Sequence, residues 1–309
     1  MKIICLACLA LSTVYGQTGS LAKPSIGFVF DPATKSLRPV QGLPGAAVVG
    51  APVEFGFVLS SAHVAPRLDS AFVRAEDGSV HFFRLGGSAI TERTVAELAS
   101  FAQIVYSPSG TAAALFSAGK IQVIQGLPDS PLVAATISPR ANPRLRRLLP
   151  DTLAISDDGG YLIYAAGGPV ELLSVAGDSR QVLDAAPGTL AAFAPGSHDA
   201  AVIQSGKLYM FNDIAGSATR RTVDSADSPS DLAYSPDARS LLIASASTRS
   251  VTTVNLETGD RSSLACDCAP AKLTPMGSVF RLNELGKGPL WLLDTSGRGL
   301  IFVPPPANH

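Results

Sequence analysis

The chain has 309 residues, 46% of them hydrophobic and 16% charged, with a net charge of −1. That balance excludes a disordered chain, and near-neutrality argues against a protein dedicated to binding DNA or RNA. Its 28 glycines and 23 prolines fall between short apolar runs, the punctuation of an all-β chain with many turns.

The first residues read as an export signal. Lys2 supplies a minimal positive region, Ile3 to Val14 an apolar core, and Val14-Tyr15-Gly16 a small-residue end before polar Gln17. Residues 1–16 are therefore expected to be removed after Gly16, placing the remainder in the periplasm or outside the cell. Leu6-Ala7-Cys8 resembles the end of a lipobox, but the regions before Cys8 are short for one. The apolar run is too short to cross a bilayer, and no later stretch is longer, so no transmembrane segment is expected. Residues 17–24 are a polar linker.

A repeat organises the rest of the chain. Ser25 to Leu37 reads as strand, turn and strand, with Asp31-Pro32-Ala33-Thr34 as the turn. A short motif then recurs as Ala62-His63-Val64-Ala65-Pro66, Gln103-Ile104-Val105-Tyr106-Ser107-Pro108 and Thr152-Leu153-Ala154-Ile155-Ser156-Asp157. It returns as Ala191-Ala192-Phe193-Ala194-Pro195, Asp231-Leu232-Ala233-Tyr234-Ser235-Pro236-Asp237 and Ala271-Lys272-Leu273-Thr274-Pro275. Its small residue falls at 65, 107, 156, 194, 235 and 274, intervals of 42, 49, 38, 41 and 39. After each copy come a short apolar strand and an outer hairpin, for example Ser240 to Ala244 and then Ser250 to Asn255. A period near 40 made of four short strands predicts the blades of a β-propeller, here a single domain over 25–304 with a tail at 305–309.

The blade number stays at six or seven. Six motif strands stand against seven outer hairpins, because the N-terminal unit has no inner pair of its own. Either six blades carry an added hairpin, or a seventh blade is assembled from both chain ends. In each motif a large apolar residue (Val64, Tyr106, Ile155, Phe193, Tyr234, Leu273) follows a mostly small one (Val105, Ala154, Ala192, Ala233). Alternate residues face opposite sides of a strand, so each inner strand offers a bulky face and a small face to its neighbours.

Tyr234-Ser235-Pro236-Asp237-Ala238-Arg239-Ser240-Leu241-Leu242-Ile243-Ala244, followed by Val254-Asn255-Leu256-Glu257-Thr258-Gly259, resembles the repeats of bacterial extracytoplasmic propellers of the YVTN or TolB-like kind. The likeness to WD40 proteins is more distant. The resemblance covers roughly residues 25 to 303. It implies a propeller and a family that includes binding modules as well as some lactonases and dehydrogenases, whose catalytic motifs do not occur here.

Candidate binding residues are the exceptions to the repeat. His63 and Lys272 interrupt the small column; they become neighbours if a six-bladed ring closes, and would then suit an anionic group, or else form a solvated seam. Ser61, Gln103, Thr152 and Asp231 stand where four inner strands begin, as a polar channel rim or simply as loop-to-strand transitions. The longest interval holds Arg140, Arg144, Arg146 and Arg147 between Pro139 and Pro150, a partner surface for carboxylate or phosphate or a solvated loop. Cys266 and Cys268 favour a disulfide in an exported chain; zinc would need ligands that no nearby His or Cys supplies.

The four histidines lie in unrelated contexts, and His-Glu-x-x-His, Gly-x-Ser-x-Gly and phosphate-loop patterns do not occur. Asp157-Asp158-Gly159 matches the turn of the other repeats rather than a calcium loop. No metal, cofactor or catalytic residue is expected. The favoured function is a monomeric binding or scaffolding module for a protein, peptide or glycan. The alternatives are a channel-mouth hydrolase or lactonase, and a purely structural surface protein.

Overall fold

The computed structural model describes residues 24–85, 90–139, 149–225, 228–296 and 299–306. Their strands form seven antiparallel sheets, in each of which strands consecutive in sequence are neighbours. The sheets are the blades of a seven-bladed β-propeller. Among the described residues six blades have four strands, and blade 1 has three: Ser25–Asp31, Ser36–Leu43 and Ala46–Val49. The inner strands of blades 2 to 7 begin at Leu59, Gln103, Thr152, Leu190, Asp231 and Thr274.

In most blades burial peaks in the second strand, exceeds that of the half-buried inner strand and falls away at the rim, which explains the residue choice along each blade. Second strands such as Ala112–Ser117 and Ala200–Gln204 are buried almost throughout, because a neighbouring blade covers each face. Both faces are therefore apolar and the sequence runs apolar without alternation. Outer strands such as Thr219–Asp224 and Arg261–Ala265 are exposed and polar.

One apolar cluster fills each seam between blades. Val64 packs in the seam of blades 1 and 2, Tyr106 in that of 2 and 3, and Ile155 in that of 3 and 4. Phe193, Tyr234 and Leu273 do the same in the next three seams. Val105, Ala154, Ala192 and Ala233 turn toward the following blade instead. The bulky and small faces thus mesh around the ring, as the alternation predicts. Val29, Val40, Met276, Leu290 and Ile301 fill the seventh seam, between blades 7 and 1, so the ring closes by side-chain packing. Gly27 is needed there: a Cβ on it would lie 2.1 Å from Met276 Cγ.

The repeated motif ends in a turn held by its buried serine. Ser235 Oγ accepts from Ser240 N at 2.9 Å and donates to Asp237 Oδ1 at 2.7 Å. Ser156 Oγ likewise accepts from Tyr161 N at 3.0 Å and donates to Asp158 Oδ1 at 2.5 Å. These turns gather on one face of the ring, here the turn face. There Asp157 links three blades: Oδ1 accepts from Ser109 N at 2.6 Å and Ser109 Oγ at 2.7 Å, and Oδ2 from Gly196 N at 2.7 Å.

Two expectations need correction. The N-terminal hairpin is not an addition to six blades but the body of a blade, and among the described residues all three of its strands come from the N-terminal side. Its inner strand also runs opposite to those beside it. Ile26 O lies at the turn face, 3.7 Å from a Cβ placed on Gly277, whereas Lys35 O accepts from Leu59 N at the face where strands start. The turns of blades 7 and 2 touch past blade 1, Gly277 N donating to Pro66 O at 2.9 Å. In blade 7 the inner strand is Thr274–Met276, so Lys272 lies in the loop before it and is exposed.

Candidate binding site

With seven blades, blade 1 stands between Lys272 and His63, and the pairing expected of a six-bladed ring is not formed. Each has another neighbour. Lys272 acts on Asp231, at the start of the blade 6 inner strand. Asp231 Oδ2 accepts from Leu273 N of blade 7 at 2.7 Å, and Oδ1 from Leu232 N at 3.0 Å. Burial raises the Asp231 pKa above the usual carboxylate value, with Lys272 and the two backbone donors opposing the rise. Its position ties the seam of blades 6 and 7.

His63 lies in the column where blades 3 to 6 place Ala or Val, and its ring meets Phe101 of blade 3 edge-on, with centroids 5.6 Å apart. Tyr106 Oη donates to His63 O at 2.9 Å and accepts from Phe72 N at 3.2 Å, so blade 3 fixes the backbone behind the imidazole. Burial, then Arg74, then Arg281 lower the His63 pKa from 6.5 to about 4. The imidazole is therefore neutral at pH 7.

Arg74 and Arg281 were not legible as site residues. They sit in second strands, where Arg74 is the cross-strand partner of Ser61 and Arg281 that of Thr274. A signal was present: among the second strands of blades 2 to 7, these two residues alone carry a charge. Arg281 pairs with Glu284 at 2.8 Å, and burial lowers its pKa. The Arg74 guanidinium lies 5.1 Å from the centroid of Phe101, and its Nε is buried without a hydrogen-bond partner. Ser61 Oγ is buried and unpaired as well. A β-bulge between Leu59 and Ser61 sets the register that places Ser61 opposite Arg74.

The other predicted positions are dispersed. Gln103 is half-buried at the start of the blade 3 inner strand, and Thr152 is buried at the start of that of blade 4. Arg140, Arg144, Arg146 and Arg147 lie outside the described residues. Cys266 and Cys268 are bonded to each other, with Cα atoms 5.0 Å apart, and are buried in the seam of blades 6 and 7. Two histidine–carboxylate pairs, His81 with Glu92 at 2.7 Å and His198 with Asp158 at 2.9 Å, lie away from these residues. The first joins neighbouring strands of blade 2 and the second links blades 4 and 5. On the turn face an open groove of about 450 Å³ between blades 5 and 6 is lined by Asp199, Arg220, Arg221 and Tyr234, among others. Among the described residues no three His, Cys, Asp or Glu side chains gather as a metal site, and no helix is long and apolar enough to cross a membrane.

These features define a seven-bladed propeller with polar and charged residues intruding on its inner strands. Solved structures with the same fold include a functionally unknown protein from Desulfotomaculum acetoxidans, with a TM-score of 0.57 and 13% identity over 90% of this chain and 99% of that one. A candidate 6-phosphogluconolactonase from Bacteroides uniformis gives a TM-score of 0.58 and 16% identity over 89% and 93% of the two chains. At such identities the likeness is one of fold. No family model matches the sequence, and no curated protein matches it.

Proposed function

We propose that the chain is an exported, non-catalytic binding module of the YVTN or TolB-like kind, recognising a protein, peptide or glycan through one face of its ring. The observation that carries this reading is Arg74. It is a guanidinium set into a largely apolar strand, without a carboxylate partner among the described residues and with one nitrogen buried and unpaired. A charge so placed is costly to folding and is rationalised by a ligand that completes it. The export signal at residues 1–16 and the repeat resemblance support the cellular setting.

The lactonase reading draws on the candidate lactonase of the same fold, at 16% identity. A hydrolase of that kind needs a base and an acid directed at one point. Here the two charges that act on His63 are cationic, and the Asp231 carboxylate is held by two backbone amides. Neither arrangement supplies that pair.

Two measurements test it. Fusing residues 1–16 to a reporter should send the reporter out of the cytoplasm, and retention inside would remove the export element. Purified protein screened against peptide and glycan arrays should show saturable binding to one class, weakened by Arg74→Gln and not by the turn-face change Arg220→Gln. Hydrolysis of a lactone panel at enzymatic rates would instead establish the other reading.

A further inference from the structure

Arg74 and Ser61 belong to different strands but are direct cross-strand partners, so their side chains rise from the same face of blade 2. His63 and Phe72, the next pair on that face, stand beside them. Phe101 of blade 3 covers the group, meeting the Arg74 guanidinium at 5.1 Å and the His63 ring at 5.6 Å. Two donors on this patch, Arg74 Nε and Ser61 Oγ, are buried and have no partner. Buried donors of this kind are paired in nearly all folded proteins.

The charge balance narrows what could pair with them. Arg281 acts on His63 but is already neutralised by Glu284 at 2.8 Å. His63 is uncharged at neutral pH. One unit of positive charge, on Arg74, is thus left without a counter-ion among the described residues. Both unfilled positions are N–H or O–H donors, and a guanidinium presents its Nε and a terminal nitrogen as a planar fork that matches two carboxylate oxygens. The aromatic cover suits a small group better than a hydrated dianion.

We propose that the patch of Ser61, His63, Arg74 and Phe101 binds a monocarboxylate, with Arg74 gripping its oxygens and Ser61 Oγ donating to one of them. The proposal deepens the binding-module reading and rests on it, since the carboxylate is the recognised part of the ligand. A carboxylate at this place offsets the field of Arg74 and Arg281 on His63. The imidazole therefore becomes easier to protonate when the site is filled, and by reciprocity binding tightens as pH falls toward the His63 pKa. Among the described residues, the charged and titratable groups around His63 are Arg74 and Arg281, with Glu284 behind Arg281, and Tyr106 Oη, which donates to His63 O.

The test is a titration of the purified protein with sodium acetate, followed through the His63 imidazole signals by NMR. Sodium chloride and inorganic phosphate at the same ionic strength serve as comparators. Acetate should shift those signals saturably and raise the His63 pKa by about one unit. Arg74→Gln should weaken binding by about tenfold or more, and Arg74→Lys, which keeps the charge but not the fork, by several-fold. Ser61→Ala should cost several-fold, and Arg220→Gln nothing. Thermal melting of each variant separates loss of binding from loss of fold. A tripeptide with a free C-terminus compared with its amide separates a chain terminus from a free acid as the source of the carboxylate. Acetate behaving like chloride, phosphate binding more tightly than acetate, or undiminished acetate binding by folded Arg74→Gln would each overturn the proposal. Array binding without an acetate response would sink the carboxylate site and leave the binding module standing; an acetate response without any array ligand would do the reverse.

Discussion

His63 shows how one substitution in a repeat becomes a measurable property. Its pKa is depressed from 6.5 to about 4, so the folded protein holds the neutral ring while the unfolded chain takes up a proton. Below pH 6.5 the unfolded state binds more protons and stability falls, the loss being complete once the pH passes below about 4. The full effect is about 3 kcal/mol. Urea unfolding at pH 7 and pH 4.5 should show most of that loss in the parent, and His63→Gln should be markedly flatter across the same interval. Equal slopes would mean that the ring is not buried beside two cations. Asp231 works in the opposite sense: its raised pKa means that protonation favours the folded state as pH falls. The unusual residue type at position 63 was visible in the aligned repeats. Its neighbours were not, because Arg74, Phe101 and Arg281 lie in three different blades or loops, and only packing brings them within range.

At the scale of the element, the repeated Ser-Pro-Asp stretch is a turn that also connects blades. Ser156 and Ser235 close their own turns, whereas Asp157 reaches out to Ser109 on one side and Gly196 on the other. Replacing Asp157 with Ala removes three hydrogen bonds to a carboxylate and should destabilise the protein by about 2 kcal/mol. Asp157→Asn, which keeps one acceptor oxygen, should recover part of the loss. A change in Tm within error for Asp157→Ala would show that the seams stand on apolar packing alone. The turn itself was legible, since Pro, Asp and Gly mark turns by local conformational preference. Its reach into adjacent blades was not, because local chemistry does not say which loops meet. The same limit misplaced the last inner strand: Leu273 does pack in the seam of blades 6 and 7, but the hydrogen-bonded strand starts at Thr274, which leaves Lys272 outside it.

For the molecule as a whole, the question is how the ring closes. The seam of blades 7 and 1 relies on side-chain packing, and Gly27 lies so close to Met276 that it leaves no room for a Cβ. Gly27→Ala should cost about 1–3 kcal/mol by overpacking. Adding Met276→Ala, which opens space for the new methyl group, should give a double variant less destabilised than the sum of the two single changes. Strict additivity would place the closure elsewhere. The turns of blades 7 and 2 are in direct contact past blade 1, Gly277 N donating to Pro66 O. Arg281 of blade 7 nonetheless acts on His63 of blade 2, although blade 1 lies between the two blades.

The sequence by itself determined the kind of fold. Strand alternation has a period of two, turn residues act locally, and a repeat near 40 residues leaves a ring of blades as the way to bury both faces of each sheet. It also marked, as departures from the repeat, residues such as His63 and Asp231 that lie at the inner strands. The tertiary structure decided the number of blades, the direction of the first one, and which charges face which. Those outcomes depend on how the ring ends meet, and no local preference along the chain encodes that meeting. Ser61 and Arg74 are thirteen positions apart and read as unrelated until a strand register makes them partners. Phe101 joins them only when blade 3 packs against blade 2.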